Sequence, residues 1–138
     1  MKVFLDADVL LDVALQREAF APASYALLRW CQGRPRAGLI AWHSVANVYY
    51  VLRRAQSDSA GRRFIADLLQ FCDVTSGGTE AVRHALAFPM SDFEDALQVV
   101  AAVSAEAEWI VSRNLRHYRG SPVRAVDAQD FLARVSTS

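Results

Sequence analysis

Short apolar runs alternate with stretches of helical period along the chain, and this alternation constrains the fold more than any single residue does. Residues 2–5, Gly38-Leu39-Ile40-Ala41-Trp42, Asp73-Val74-Thr75, Glu108-Trp109-Ile110-Val111-Ser112 and Pro122-Val123-Arg124-Ala125-Val126 read as strands, short and rich in β-branched and aromatic residues. Residues 9–16, 22–32, 60–72, 79–87 and 92–106 repeat their apolar positions near helical spacing, and Ser44 opens another apolar helix through Leu52. Pro22 and Gly33 bracket one helix, Pro89 ends another, and a last helix follows from Asp127. Strands that alternate with helices imply an α/β fold, its parallel sheet covered on both faces.

Composition narrows the class. At 138 residues the chain is expected to be one domain, residues 1–138, large enough to need no disulfide staple. Hydrophobic residues at 53% and charged residues at 22% are globular proportions. There is no apolar run near the length of a membrane span, and Asp6 and Asp8 interrupt any signal-peptide pattern, so a cytoplasmic protein without membrane contact is expected. Cys31 and Cys72 lie outside metal-ligand and redox spacings and read as buried, reduced thiols. The formal net charge of zero argues against coating nucleic acid by bulk electrostatics, though it leaves room for a local basic patch. Lys2 is the only lysine among the 15 Lys and Arg, which excludes a Walker A phosphate loop and a Schiff-base enzyme.

Chemistry concentrates where strands end. The first strand stops abruptly at Asp6-Ala7-Asp8, a place from which a carboxylate can hold a divalent metal or do acid–base work. The plainer alternative makes Asp8 a helix cap and Asp6 a turn residue. Ser91-Asp92-Phe93-Glu94-Asp95 opens the most apolar helix: Ser91 with Glu94 forms a capping box, while Asp92 and Asp95, three apart, share a helix face. Val111-Ser112-Arg113-Asn114 closes another strand, and Asn114 can offer a carbonyl oxygen to a metal or serve as a turn residue. Arg113, Arg116, His117, Tyr118 and Arg119 form a basic and aromatic knot that can meet a phosphate backbone or stand as a solvated loop. Oxygen ligands from three separated segments, beside arginines, suit metal-assisted phosphodiester hydrolysis.

These segments resemble, in order, the motifs of the PIN domain family, the fold of toxin-type ribonucleases in bacterial toxin–antitoxin pairs. Met1 to Asp12 is similar to the family's opening; Asn47-Val48-Tyr49-Tyr50-Val51-Leu52-Arg53-Arg54 to its second motif. Asp92-Phe93-Glu94-Asp95-Ala96-Leu97-Gln98 is similar to the third and Val111-Ser112-Arg113-Asn114 to the fourth. The resemblance implies a three-layer α/β/α sandwich around a mainly parallel sheet. It also implies Mg²⁺- or Mn²⁺-dependent cleavage of single-stranded RNA, a cognate antitoxin and frequent homodimers. Carried over by position, Asp6 and Asp95 are metal ligands, with Asp92 a further acid at the same rim. Asp8 supports the loop or caps the helix, Ser112 orients the site from behind, and Arg113, Arg116 and Arg119 are candidates for RNA contact.

Two positions depart from the family's pattern. Asn47 stands where a glutamate is usual and Asn114 where an aspartate is frequent, each removing one negative charge from the implied pocket. A catalytically weakened module that binds RNA or a partner protein is therefore a rival expectation. Asp6-Ala7-Asp8 is also similar to the nucleophile motif of haloacid-dehalogenase-type phosphatases. That family wants a hydroxyl where this chain has Leu10, and a downstream lysine that is missing.

Overall fold

In the computed structural model, which describes residues 1–136, the chain runs β1 (Val3–Leu5), α1 (Ala7–Ala14), α2 (Ala21–Gln32), β2 (Gly38–Ala41), α3 (Trp42–Ala55) and α4 (Asp58–Leu68). There follow β3 (Asp73–Thr75), α5 (Thr79–Ala87), α6 (Phe93–Ser104), β4 (Trp109–Val111), a 3₁₀ turn (Leu115–Tyr118), β5 (Arg124–Val126) and α7 (Ala128–Ser136). The strands form one sheet in the order β3-β2-β1-β4-β5, and every neighbouring pair is parallel.

Period-two alternation decides the layers. Val3, Leu5, Ile40, Val111 and Val126 point into a core shared with Leu10, Leu27, Val48 and Phe131 of α1, α2, α3 and α7. Phe4, Leu39 and Ile110 point the other way, onto Val99 and Ala102 of α6. The result is a three-layer α/β/α sandwich, its parallel sheet covered on both faces as the alternation predicts. Val3, Phe4 and Leu5 are completely buried, each contributing about 1.5–3 kcal/mol by leaving water.

Gly38 shows how tight the first layer is. A Cβ there would lie 3.0 Å from Cys72 Sγ and 3.1 Å from Cys31 Sγ. Both cysteines are free and buried, and burial pushes each thiol up to about 12, as suits packing rather than reactivity.

The sequence reading is corrected at three element ends. Trp42 belongs to α3, not to the strand before it. The helix expected over 60–72 is α4, capped by the Ser57 hydroxyl, which accepts from the Ala60 amide at 3.1 Å. The capping box assigned to Ser91 and Glu94 does not cap α6; the Asp92 side chain does, accepting from the Asp95 amide at 3.0 Å. An aspartate one residue nearer the first turn reaches that orphan amide directly.

The strand order places the chemistry. The chain moves outward from β1 through β2 to β3, then returns to lay β4 on the other side of β1. The switch between these directions lies at the carboxyl ends of β1 and β4, where open α/β sheets bind ligands. Asp6 follows β1 and Ser112 follows β4, and the Asp6 amide donates to the Val111 carbonyl at 3.0 Å. Among the described residues no helix is long and apolar enough to cross a membrane.

Candidate active site

Asp6 occupies the N-cap position of α1, yet its side chain makes no cap bond. Its carboxylate turns across the sheet edge instead. Gln98 Nε2, from the second turn of α6, donates to Asp6 Oδ1 at 3.1 Å, and the Tyr118 hydroxyl donates to Oδ2 at 2.7 Å. Gln98 and Tyr118 are buried. Burial and the neighbouring Asp6 hold the Tyr118 phenol well above its ordinary value, so it keeps its proton and serves as a hydrogen-bond donor to the carboxylate. Gln98 Nε2 also lies 3.3 Å from Ser44 Oγ, which ties the start of α3 to the same network.

Asp8 serves a different structure. Its Oδ2 accepts from the Ser112 hydroxyl, the Arg113 amide and the Asn114 side-chain amide, each at 3.1 Å. Ser112 Oγ in turn accepts from the Asn114 backbone amide at 3.0 Å. Asp8 therefore pins the loop after β4 and does not cap α1. The Asn114 side-chain amide is thus engaged with Asp8, and its backbone carbonyl accepts from the His117 amide at 3.0 Å. Burial, and then the Asp6 charge, push Asp8 up to about 6 against these hydrogen bonds.

One turn further along α1, Asp12 is fully buried between two arginines. Arg17 Nη1 stands 3.3 Å from its Oδ1 and Arg113 Nε 2.7 Å from its Oδ2, the second an ion-pair distance without hydrogen-bond alignment. The Arg113 guanidinium also stacks on the Phe20 ring at 4.0 Å. Arg113, expected in the basic knot, thus clamps α1 to the loop after β4. Arg116 and Arg119 are exposed.

Asp95 lies in the first turn of α6 with its side chain 13% exposed. His117 Nδ1 stands 3.3 Å from Asp95 Oδ2, but that buried oxygen has no aligned hydrogen-bond donor. Burial and Asp92 push Asp95 up to about 6, with His117 pulling down and Asp6 and Glu94 pushing up. Asp6 and Asp95 thus sense one another across the sheet edge. Asp92 is exposed and occupied as the α6 cap. Asn47 is exposed on α3, and among the described residues no hydrogen bond joins it to the aspartates.

A family model for the PIN domain matches residues 2–116. The chain belongs to the PIN domain family. Its fold is similar to that of VapBC2 from Rickettsia felis bound to a promoter DNA fragment, with TM-score 0.71 and 11% identity over 92% of this chain and 98% of that one. It is similar also to DNA-bound VapBC from Salmonella typhimurium, with TM-score 0.70 and 15% identity over 93% and 98% of the two chains. A third likeness is to VapC20 of Mycobacterium tuberculosis, described as a sarcin-ricin loop cleaving toxin, with TM-score 0.64 and 15% identity over 79% and 87%. Comparison with curated proteins found no match.

In this PIN domain the donor set suits a hard divalent ion held by one or two carboxylates and water. Asp6 and the orphaned Asp95 oxygen are the groups that can hold it. The set does not make a dense cage: among the described residues no three His, Cys, Asp or Glu side chains gather into a metal-binding group. Motif gave Gln98, Asp12 and Ser44 no role in the site, and it placed Tyr118 in the basic knot rather than against Asp6. Gln98 and Asp12 carried a signal nonetheless, each as a polar residue set among apolar neighbours in sequence, Ala96–Val103 and Val9–Leu15. A buried polar side chain needs a partner.

Proposed function

We propose that this PIN domain is a metal-dependent endoribonuclease that hydrolyses phosphodiester bonds of single-stranded RNA, acting as the toxin of a toxin–antitoxin pair. One observation carries the reading: Asp95 keeps a buried oxygen without an aligned donor, at the switch point of the sheet and within the field of Asp6. Carboxylates crowded in this way favour a cation between them.

Asp6 and Asp95 would hold Mg²⁺ or Mn²⁺, with Asp92 adding charge at the rim. A bound ion of this kind lowers the pKa of an attacking water and offsets charge on the phosphate. The chain's own residues prepare the place. Gln98 and Tyr118 fix the plane of the Asp6 carboxylate. Asp8, Ser112 and Asn114 hold the loop that delivers Tyr118 and His117. Arg116 and Arg119, exposed on that loop, would meet the RNA backbone.

The VapBC assemblies and the loop-cleaving toxin among the structural relatives support the toxin reading. In that setting residues 1–138 act as one domain, the partners are an antitoxin and a second copy of the chain, and the compartment is the cytoplasm. A binding module without catalysis is the second reading. It is favoured by the isolation of Asn47 and by the engagement of Asn114 with Asp8.

The test compares the purified protein with Asp6→Asn and Asp95→Asn on single-stranded RNA with Mn²⁺. Cleavage by the parent and its loss in both variants is expected. Equal inertness of all three would favour the binding module, and equal cleavage would point to a contaminating nuclease.

A further inference from the structure

Beside the acid cluster, on the β2–β3 side, the fold forms a small, partly open apolar cavity of about 180 Å³. Trp42 and His43 form one wall at the start of α3, Leu97, Val100 and Ser104 of α6 another, and Gly78 of the loop after β3 the rim. Its volume falls below the roughly 300–1,000 Å³ of pockets for drug-sized ligands, and it suits a single flat ring system.

Three observations mark it as more than a packing fault. Trp42 is 72% exposed although it directly follows the buried Ala41 at the carboxyl edge of the sheet. His43 Nε2 is buried with no hydrogen-bond partner, and a buried polar atom without a partner in a native fold calls for one. Ser44, the residue after His43, accepts from Gln98 Nε2 at 3.3 Å, and the same nitrogen donates to Asp6 Oδ1 at 3.1 Å, so the cavity lies beside the acidic site.

We propose that this cavity is a base pocket, which receives the nucleobase of a single-stranded RNA nucleotide next to the phosphate held at Asp6 and Asp95. The Trp42 indole stacks on the base, and His43 Nε2 bonds to one of its edges. The pocket selects among bases, while the acids act on a backbone common to all of them. The assignment rests on the ribonuclease reading for the adjacent phosphate, but its own test is binding.

Labelled single-stranded RNA decamers of A, C, G and U are titrated with the parent, Trp42→Ala, Trp42→Phe and His43→Ala in EDTA, read by fluorescence anisotropy. Parallel incubations of the parent and Asp6→Asn with Mn²⁺ read cleavage. The parent is expected to prefer one base. Trp42→Ala should weaken that decamer by roughly 5- to 100-fold, the range for loss of one base–aromatic stack, and Trp42→Phe should recover most of the loss. His43→Ala should level the four affinities. Because the Trp42 side chain stands largely in solvent, its loss leaves the fold intact.

Unchanged affinities in Trp42→Ala and His43→Ala, or no RNA binding by the parent, would overturn the pocket. Asp6-dependent cleavage together with unchanged binding in Trp42→Ala would remove the pocket and leave the nuclease reading standing. Trp42-dependent binding without cleavage would do the reverse.

Discussion

The Tyr118 hydroxyl donates a 2.7 Å hydrogen bond to Asp6 Oδ2 across 112 residues of sequence. Gln98 grips the other oxygen at 3.1 Å. Groups that orient a ligating carboxylate typically carry a 10- to 100-fold effect on metal affinity or activity. Tyr118→Phe keeps the ring in its core position and removes only the donor. It should lower RNA cleavage by about tenfold, with a matching rise in the Mn²⁺ concentration needed for half-maximal rate. Gln98→Leu should act in the same direction. Unaltered Mn²⁺ titrations in both variants would show that the two donors merely fill the core.

Asp12 should matter to stability rather than to chemistry. It is fully buried against Arg17 and Arg113, and removing one member of a buried pair costs about 3–5 kcal/mol. Both arginines are partly exposed and can rehydrate, so Asp12→Ala is expected near the lower end, about 3 kcal/mol by urea denaturation. A change under about 1 kcal/mol would mean that the pair is as weak as one on the surface.

Asp95 makes a prediction about pH. Its carboxyl is raised from 3.8 to about 6 in the fold, so between these values the folded chain binds more protons than the unfolded chain. Stability of the metal-free protein must then fall as pH rises through that window, and the loss is complete above it. Asp95→Asn abolishes the penalty. In EDTA the variant should melt a few degrees above the parent at pH 7.5 and level with it near pH 4. Adding Mn²⁺ should raise the parent's melting temperature more than the variant's. A variant that melts below its parent at pH 7.5 would contradict the crowding of charge at this site.

Asp8 is expected to govern the order of the loop after β4, because its Oδ2 accepts from the Arg113 amide and two side chains of that loop. Asp8→Ala should speed hydrogen exchange at the Arg113 and Asn114 amides and leave the α6 amides protected. Unchanged exchange at Arg113 would mean that the Arg113–Asp12 clamp holds the loop by itself.

Asn47→Glu returns the acid that the PIN pattern usually carries at this position. If α3 brings residue 47 to the acidic rim, Mn²⁺ binding measured by calorimetry should tighten several-fold. No change would indicate that the outward placement of Asn47 persists and that the ion is held from α6 and β1 alone.

The site was legible where its residues are contiguous with a strand end. Asp6 stands out because an apolar strand stops at it, and Asp95 because an acidic turn precedes the apolar α6. The division of labour between Asp6 and Asp8 was only partly visible: the family pattern demoted Asp8, but its hold on the loop after β4 lies in contacts more than 100 residues long, such as Ser112 to Asp8 at a separation of 104. The contacts of Arg113 were not visible, because a guanidinium in a basic run looks free until Asp12 and Phe20 are seen packed against it. The cap made by Asp92 was not visible either. A residue at a helix boundary can cap, and only the backbone geometry of the first turn shows that it does.

The sequence by itself determined the layered parallel sheet and the acids at its carboxyl edge. Apolar periodicity dictates which faces are buried, and polar residues that end a strand must emerge at its rim. Tertiary structure alone decided which oxygen of each carboxylate is held, by Gln98 and Tyr118 for Asp6 and by Ser112, Arg113 and Asn114 for Asp8. It also decided that Asp95 keeps an oxygen without an aligned donor. Hydrogen bonds are directional and short, so their partners are chosen by how β1, β4 and α6 pack, which no local pattern encodes.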